Sequence, residues 1–305
     1  MRLPGLLNPD VHPSIASISW ADRLAEPSRI QPPTREGEPP DVAVAMIASS
    51  GLQDFVLNTL GSVLSCGVRP SQVFLFHSDA AADEYALVAD HIPQENILPI
   101  RATLNPVAAD FDRGYADFGT ADFRTFTIVK WFAIRWLLAQ GAAQVVLTDV
   151  DIAWIRSPLG YLKWIAKSYD LAIQNEAIRL GRAEVCTGFM SLKNTPGIDE
   201  LLSALIDLQA STFATGKAQD DQEVMNEYLK SHPQSYKRLW LLPEAQFPNG
   251  LFAPMFSAPE NLQAVPLIHL QPMIFHANWC IGLRAKQAML TRAGLWKPGE
   301  WPISQ

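Results

Sequence analysis

The hydrophobic positions of this chain follow two alternating rhythms. Continuous apolar runs, Val42-Ala43-Val44-Ala45-Met46-Ile47 and Val73-Phe74-Leu75-Phe76, have the length of strands buried on both faces. Between them Leu52, Phe55, Val56, Leu60, Val63 and Leu64 recur at the spacing of one helix face. Ser50 and Gln53 have the spacing of a capping box at its start, and Gly67 and Pro70 close it. Strand, helix, strand at this spacing is a βαβ unit, in which the strands lie parallel and ligands meet the loops after their carboxyl ends. Here those loops are Ser49-Ser50-Gly51 and His77-Ser78-Asp79.

The rhythms continue down the chain. Asn96 to Ile100, Asp170 to Gln174, Thr187 to Leu192, Leu239 to Leu242, Val265 to His269 and Met273 to Phe275 read as strands. Phe123 to Gln140 reads as a helix with Phe126, Trp131, Ile134, Leu137 and Leu138 on its core face and Gly141 as its stop. Further helices open at Ser157-Pro158, run from Pro196 to Gln209, extend from Asp220-Asp221-Gln222 to about Leu229, and run from Gly282 to Arg292. Arg101 to Asp122, polar and glycine-containing, reads as a loop. Residues 1 to 40 are rich in proline and read as an irregular extension, which leaves 41 to 305 as a single α/β domain. The expected architecture is a mixed, mainly parallel sheet flanked by helices.

The chemistry concentrates in Val145-Val146-Leu147-Thr148-Asp149-Val150-Asp151-Ile152-Ala153-Trp154. Read as one buried strand, its alternation puts Asp149 and Asp151 on the same side, where two carboxylates converge on a small volume. Such a pair calls for a hard divalent cation, and that cation would collect a diphosphate. Asp-x-Asp by itself reads equally as a solvated loop start or as the cap of the helix at Ser157-Pro158. Lys130 alone reads as a solvated lysine with a buried stem, and His276 alone as a hydrogen-bonded histidine in a turn.

Composition removes several classes. With 48% apolar residues among 305 the chain can bury a large core, and a formal charge of −7 excludes affinity built on wrapping nucleic acid phosphates. No G-x-G-x-x-G or G-x-x-x-x-G-K-[ST] accompanies the first strand, against dinucleotide and P-loop readings. Cys66, Cys186 and Cys280 are odd in number and far apart, so neither a disulfide framework nor a thiolate zinc site is indicated, and a reducing compartment is the default. No signal-peptide core or bilayer-spanning run is present, which reads as a cytoplasmic protein, soluble or peripherally attached to a membrane.

Taken together, Leu147-Thr148-Asp149-Val150-Asp151-Ile152-Ala153-Trp154-Ile155-Arg156-Ser157-Pro158, Thr187-Gly188-Phe189, Asp221-Gln222 with Asn226, Phe247-Pro248-Asn249-Gly250, and His276-Ala277-Asn278-Trp279 with Gly282, Lys286 and Gly294-Leu295-Trp296 form an ordered set. This set resembles the nucleotide-diphospho-sugar transferases, the retaining GT-A glycosyltransferases that include plant extensin arabinosyltransferases and pectin xylosyltransferases. The resemblance covers about residues 41 to 297 and implies a Rossmann-like GT-A fold, with a nucleotide-binding half to about residue 155 and a sugar and acceptor half after it. It implies Asp149, Asp151 and His276 as metal ligands, with Asp149 also near the donor ribose. It places Lys130 and Lys286 near the nucleotide and diphosphate, Asp221 and Gln222 beside the donor sugar, Thr187 and Gly188 in the donor site, and Ser49, Ser50, Gly51 and Asp79 around the nucleoside. The position before Thr187 is often Asn in the family and is Cys186 here.

The implied reaction moves a sugar, with retention, from a nucleotide diphosphate, UDP before GDP, to a hydroxyl of a glycan, glycoside or protein. Mixed oxygen and imidazole ligation suits Mn2+ somewhat better than Mg2+. Trp154, Trp240, Trp279 and Trp296 are candidates to stack on sugar faces, with about one of them expected to do so, since large aromatics are more often core. Two alternatives fit less well. Haloacid-dehalogenase-type phosphohydrolases carry Asp-x-Asp near the start of the domain, usually with Thr or Val where this chain has Ala153. A catalytically inactive glycan-binding or scaffolding protein on the same fold has no need of Asp149, Asp151, Asp221, Gln222 and His276 together.

Overall fold

The structure, a computed structural model, describes residues 40–104, 114–176, 184–252 and 271–302. Seven strands form one sheet: β1 (Val42–Ala48), β2 (Val73–His77), β3 (Ile97–Pro99), β4 (Gln144–Thr148), β6 (Leu171–Asn175), β7 (Val185–Lys193) and β8 (Leu239–Leu242), in the order β3-β2-β1-β4-β7-β6-β8. Pairing is parallel from β3 through β4 and between β6 and β8, while β7 runs antiparallel to both β4 and β6. That one reversed strand makes the sheet mixed. β5 (Ile152–Trp154) and β9 (Ile274–His276) leave it to form a two-stranded antiparallel ribbon.

The period of two in β1 decides which core each residue enters. Ala43, Ala45 and Ile47 face α4 (Val129–Ala139), α6 (Pro196–Ala214) and α7 (Asp221–Ser231), through Trp131, Ile134, Leu205, Phe213 and Met225. Val42, Val44, Met46 and Ala48 face α1 (Gln53–Ser65), the β5–β9 ribbon, α5 (Leu159–Ile165) and α8 (Leu283–Arg292), through Phe55, Leu60, Trp154, Phe275, Ile165 and Leu290. Helices on both faces explain why the strand runs are apolar throughout rather than alternating. Among the described residues no helix is long and apolar enough to cross a membrane.

Several sequence readings change. The run Val145 to Trp154 is two strands in different sheets: β4 stops at Thr148, and Asp149, Val150 and Asp151 form a turn closed by the Ile152 N–H on Asp149 O at 3.2 Å. Ile100–Leu104 is a short helix, α2, where a loop was expected, and α3 (Ala121–Thr127) precedes α4 in the segment read as one helix. Ser50 does not cap α1. Leu52 holds the N-cap position with no side-chain bond, and the Ser50 hydroxyl turns to the Glu84 carboxylate. The proline-rich extension to residue 39 and the strand expected at Val265 to His269 lie outside the described residues.

Two polar devices hold the elements that carry the site. Thr59 and Ser62 sit on the buried face of α1, where apolar residues would otherwise be expected. The Thr59 hydroxyl lies 2.6 Å from Val150 O and 2.8 Å from Ile152 O, and Ser62 Oγ accepts from the Trp154 N–H at 2.9 Å. The helix thus supplies partners to a turn whose backbone has left the sheet. At α7, Asp220 Oδ1 accepts from the Glu223 N–H at 2.8 Å while Glu223 returns a bond to the Asp220 N–H at 3.1 Å, a reciprocal capping box. Burial, with the Asp221 charge beside it, pushes the Asp220 carboxyl up to about 7.

Thr59→Val leaves the Val150 and Ile152 carbonyls without that hydroxyl and is expected to lower the unfolding free energy by about 1–3 kcal/mol in urea titration, with Thr59→Ser recovering most of the loss. Asp220 gives a pH signature. Because the folded chain holds its proton more tightly than the unfolded one, its contribution is greatest in acid and is lost as pH rises to about 7. Asparagine caps a helix as well as aspartate does. The melting temperature of Asp220→Asn minus that of the wild type should therefore be larger at about pH 8 than at about pH 5, and an equal difference at both would contradict the assignment.

Candidate functional site

The turn after β4 projects Asp149 and Asp151 at the carboxyl end of the central strand, between two fixed backbones. The Asp149 N–H donates to Gly188 O at 2.8 Å, which ties the turn to β7, and Asp151 O accepts from the Ala277 N–H at 3.0 Å, which ties it to β9. In the ribbon Ile152 pairs with His276, so antiparallel register carries a histidine from the far end of the chain over the two aspartates. Asp149, Asp151 and His276 each offer a ligand atom, all within 4.8 Å of one another. Gly188 makes the room. A Cβ there would lie 2.4 Å from His276 Cε1 and 2.9 Å from Asp149 Oδ2, closer than real Cβ atoms come.

Cations surround the acids. Lys130 Nζ, on α4, lies 2.9 Å from Asp149 Oδ1 and 2.9 Å from Asp221 Oδ2, and Lys286 Nζ, on α8, lies 2.6 Å from Asp151 Oδ2. Thr187 donates to Asp221 Oδ2 at 2.6 Å, and Thr127 Oγ1 accepts from the Asp221 N–H at 3.0 Å. Burial pulls the Lys130 ammonium down, but the Asp149 and Asp221 carboxylates outweigh it and hold Lys130 above its ordinary range. Burial also pushes the Asp149 carboxyl up, with Lys130 opposing the shift and Asp151 adding to it. At Asp151 the burial penalty is overcome by Lys286 and then His276, and its carboxyl lies well below the ordinary range. Two carboxylates and an imidazole at this spacing are a donor set that fits one divalent cation of mixed oxygen and nitrogen preference.

The contacts thus join Lys130, Asp149, Asp151, Thr187, Gly188, Asp221, His276 and Lys286 in one cluster. Lys130, read alone as a solvated lysine, is only 12% exposed and bridges two acids. Ser49, Ser50 and Gly51 follow β1 at the same end of the sheet. Tyr85 Oη donates to Ser49 O at 2.6 Å, and Glu84 accepts from the Gly51 N–H at 2.7 Å. Asp79 follows β2 and stands 4.0 Å from Arg101. Tyr115 connects the loop to the cluster: its Cβ lies 3.6 Å from where a Cβ on Gly51 would be, and its phenol, pushed up mainly by burial, feels Lys286 in the opposite sense.

Sequence reasoning missed a second polar group behind the cluster. Glu176, at the end of β6, accepts from Asn278 Nδ2 at 3.1 Å, and burial pushes its carboxyl up, with the neighbouring Cys186, Gln222 and Asn278 opposing the shift. Gln174 contacts His276 Nδ1 at 2.8 Å. Neither Glu176 nor Gln174 belongs to a recognisable motif, and strand alternation was the only signal, since both end a buried run. Of the four tryptophans, Trp154 is wholly buried, Trp240 packs on Tyr169 and Trp296 on Phe55, which leaves Trp279, 43% exposed and adjoining Asn278, as the one open to a ligand.

Comparison with known proteins gives the family and the fold. The family described as nucleotide-diphospho-sugar transferase matches residues 83–290. The chain is 26% identical over 217 residues to UDP-D-xylose:L-fucose alpha-1,3-D-xylosyltransferase 3 of Arabidopsis thaliana, covering 65% of this chain and 54% of that protein. The Arabidopsis thaliana xylosyltransferase MGP4 is also 26% identical, over 215 residues, with 56% of its length covered. The chain therefore spans about half the length of the curated relatives it matches. Among solved structures, the galactosyltransferase LgtC in complex with donor and acceptor sugar analogs superposes with a TM-score of 0.51 at 13% identity, over 83% of this chain and 95% of that one. The glycosyltransferase GlyE of Streptococcus pneumoniae TIGR4 does so with a TM-score of 0.51 at 15% identity, over 82% of this chain and 60% of that one. These structures share the GT-A fold. With the family match spanning more than half of its residues, the chain belongs to the nucleotide-diphospho-sugar transferases.

Proposed function

We propose that this chain is a metal-dependent glycosyltransferase that moves a sugar, with retention, from a UDP-sugar to a hydroxyl of a glycan, glycoside or protein. The observation that carries the reading is the Asp149, Asp151 and His276 cluster at the end of β4, flanked by Lys130 and Lys286. A divalent cation held there, Mn2+ before Mg2+, would supply Lewis-acid stabilisation of the departing diphosphate. UDP is favoured because the curated relatives are named for UDP-D-xylose. They also make UDP-xylose the first donor to try.

The chain's own residues have separable tasks in this reading. Lys286 and Lys130 place fixed positive charge where the diphosphate gains negative charge as the bond from the anomeric carbon to the phosphate oxygen breaks. The loop Ser49 to Gly51 and Asp79 hold the nucleoside, at the carboxyl ends of β1 and β2 where α/β sheets take such ligands. Asp221 and Gln222 face the sugar, and Thr187 holds the Asp221 carboxylate in place. Gln222 is a poor nucleophile, so same-face attack is preferred. The acceptor oxygen bonds the anomeric carbon and its proton passes to the leaving phosphate oxygen.

Thermal unfolding of the chain with UDP, GDP and ADP, each with Mn2+ or with a chelator, tests the donor site. A ligand at about 100 times its Kd adds about 2.7 kcal/mol. A rise in melting temperature with UDP that requires Mn2+ is expected, and the absence of a shift with any nucleotide would favour the inactive, glycan-binding reading. Asp151→Asn should lower UDP-xylose turnover by more than about 100-fold, beyond the loss typical of groups that only orient metal ligands. Wild-type turnover by this variant in Mn2+ would refute the metal assignment.

A further inference from the structure

The Phe247-Pro248-Asn249-Gly250 turn stands out in the sequence pattern yet supplies none of the three clustered ligand atoms. Its hydrogen bonds run to the strands on either side of the imidazole. Asn249 Nδ2 donates to Asn175 O at 3.2 Å and Glu176 O at 2.9 Å, which docks the turn on the end of β6. The Gly250 N–H donates to Asn278 Oδ1 at 2.7 Å, and a Cβ on Gly250 would fall 1.8 Å from Asn278 O, so only glycine passes there. Pro248 O accepts the main-chain N–H of His276 at 3.1 Å.

The turn also reaches the imidazole ring, through Gln174. Gln174 Nε2 donates to Phe247 O at 3.0 Å and lies 3.5 Å from Pro248 O. With its amide hydrogens directed at carbonyls, Gln174 presents only Oε1 on the other side, and Oε1 lies 2.8 Å from His276 Nδ1. A carbonyl oxygen cannot donate, so Nδ1 carries the hydrogen. Nε2 is then the nitrogen turned to the carboxylates, 3.3 Å from Asp151 Oδ1. The β6–β7 register shifts between Ile173 and Gln174, an irregularity of the kind that re-aims a side chain. Cys186 Sγ also approaches Nδ1, at 3.7 Å, and is a much weaker partner.

We propose that the Phe247 to Gly250 turn is a brace for the metal ligand and that Gln174 is the positioning residue through which it fixes the tautomer and aim of His276. The inference rests on the metal-dependent reading above and goes beyond it, since it assigns a role to a glutamine that supplies none of the clustered ligand atoms. Orienting partners of ligating histidines typically affect metal affinity by about 10–100-fold.

The test is Mn2+ titration of the full chain, followed by the paramagnetic resonance of free Mn2+, with no nucleotide present. Gln174→Leu and the shorter Gln174→Asn should each weaken Mn2+ binding by about 10–100-fold. Gln174→Glu keeps an acceptor at Nδ1 and should stay within about threefold of the wild type, its lost donor to Phe247 O appearing as reduced melting temperature instead. Gln174→Asn is the measurement to rely on where Gln174→Leu does not fold, as judged by circular dichroism. A folded Leu or Asn variant that binds Mn2+ as tightly as the wild type overturns the brace, and so does a Glu variant that loses as much as Leu. A wild type that binds no Mn2+, either alone or after UDP is added, refutes the metal reading itself, a separate outcome from a wild type that binds beside variants that bind equally well.

Discussion

Compensation of buried negative charge is the constraint on which the site depends. Asp149, Asp151 and Asp221 meet in a small volume, with Glu176 close behind, where burial alone drives carboxylates towards their neutral form. Lys130 answers Asp149 and Asp221 together, and Lys286 with His276 answers Asp151. These groups arrive on three separate elements: α4, α8 and β9. The charge balance therefore links the two halves of the chain. In the proposed function a divalent cation would take over the carboxylates and leave the lysines to the diphosphate.

The second constraint is the departure of the chain from the main sheet after Thr148. A strand continuing through Asp149 and Asp151 would have needed pairing on both edges. Instead the backbone turns, takes hydrogen bonds from Thr59 and Ser62 of α1, and pairs with β9. Antiparallel pairing with β9 is what brings His276 to a motif 125 positions earlier in the sequence. Insertion of β7 between β4 and β6 brings Thr187 and Gly188 to the same place, and the absence of a side chain at 188 lets the imidazole and Asp149 close up.

Where this chain departs from its family's usual pattern, the local chemistry stays consistent. Cys186 occupies a position that is often Asn, and its Sγ lies 3.8 Å from Asn278 Nδ2. Asn278 Nδ2 in turn donates to the Glu176 carboxylate at 3.1 Å. The family match spans Lys130, Asp149, Asp151, Thr187, Gly188, Asp221, His276 and Lys286, while Ser49 to Gly51 and Asp79 lie before it.

The sequence by itself determined the elements and the residue types. Apolar runs and helical periods located β1, β2, β8, α1, α7 and α8 closely, because burial on both faces of a sheet imprints itself directly on composition, while α6 runs past the expected Gln209 to Ala214. The ordered motifs singled out Asp149, Asp151, Asp221 and His276, which the fold brings into one cluster. Tertiary structure decided what local pattern cannot carry. Alternation along an assumed single strand gave the right convergence of Asp149 and Asp151 for a mistaken reason, since the break at Thr148 depends on partners in α1 and β9. Ser50 had capping spacing but bonds Glu84, a competitor distant in sequence. Glu176 and Gln174 carried no motif at all. Their roles come from hydrogen bonds to residues 73 to 102 positions away, and such pairings exist only once the sheet order has placed β6 beside β7 and β9 beneath the turn.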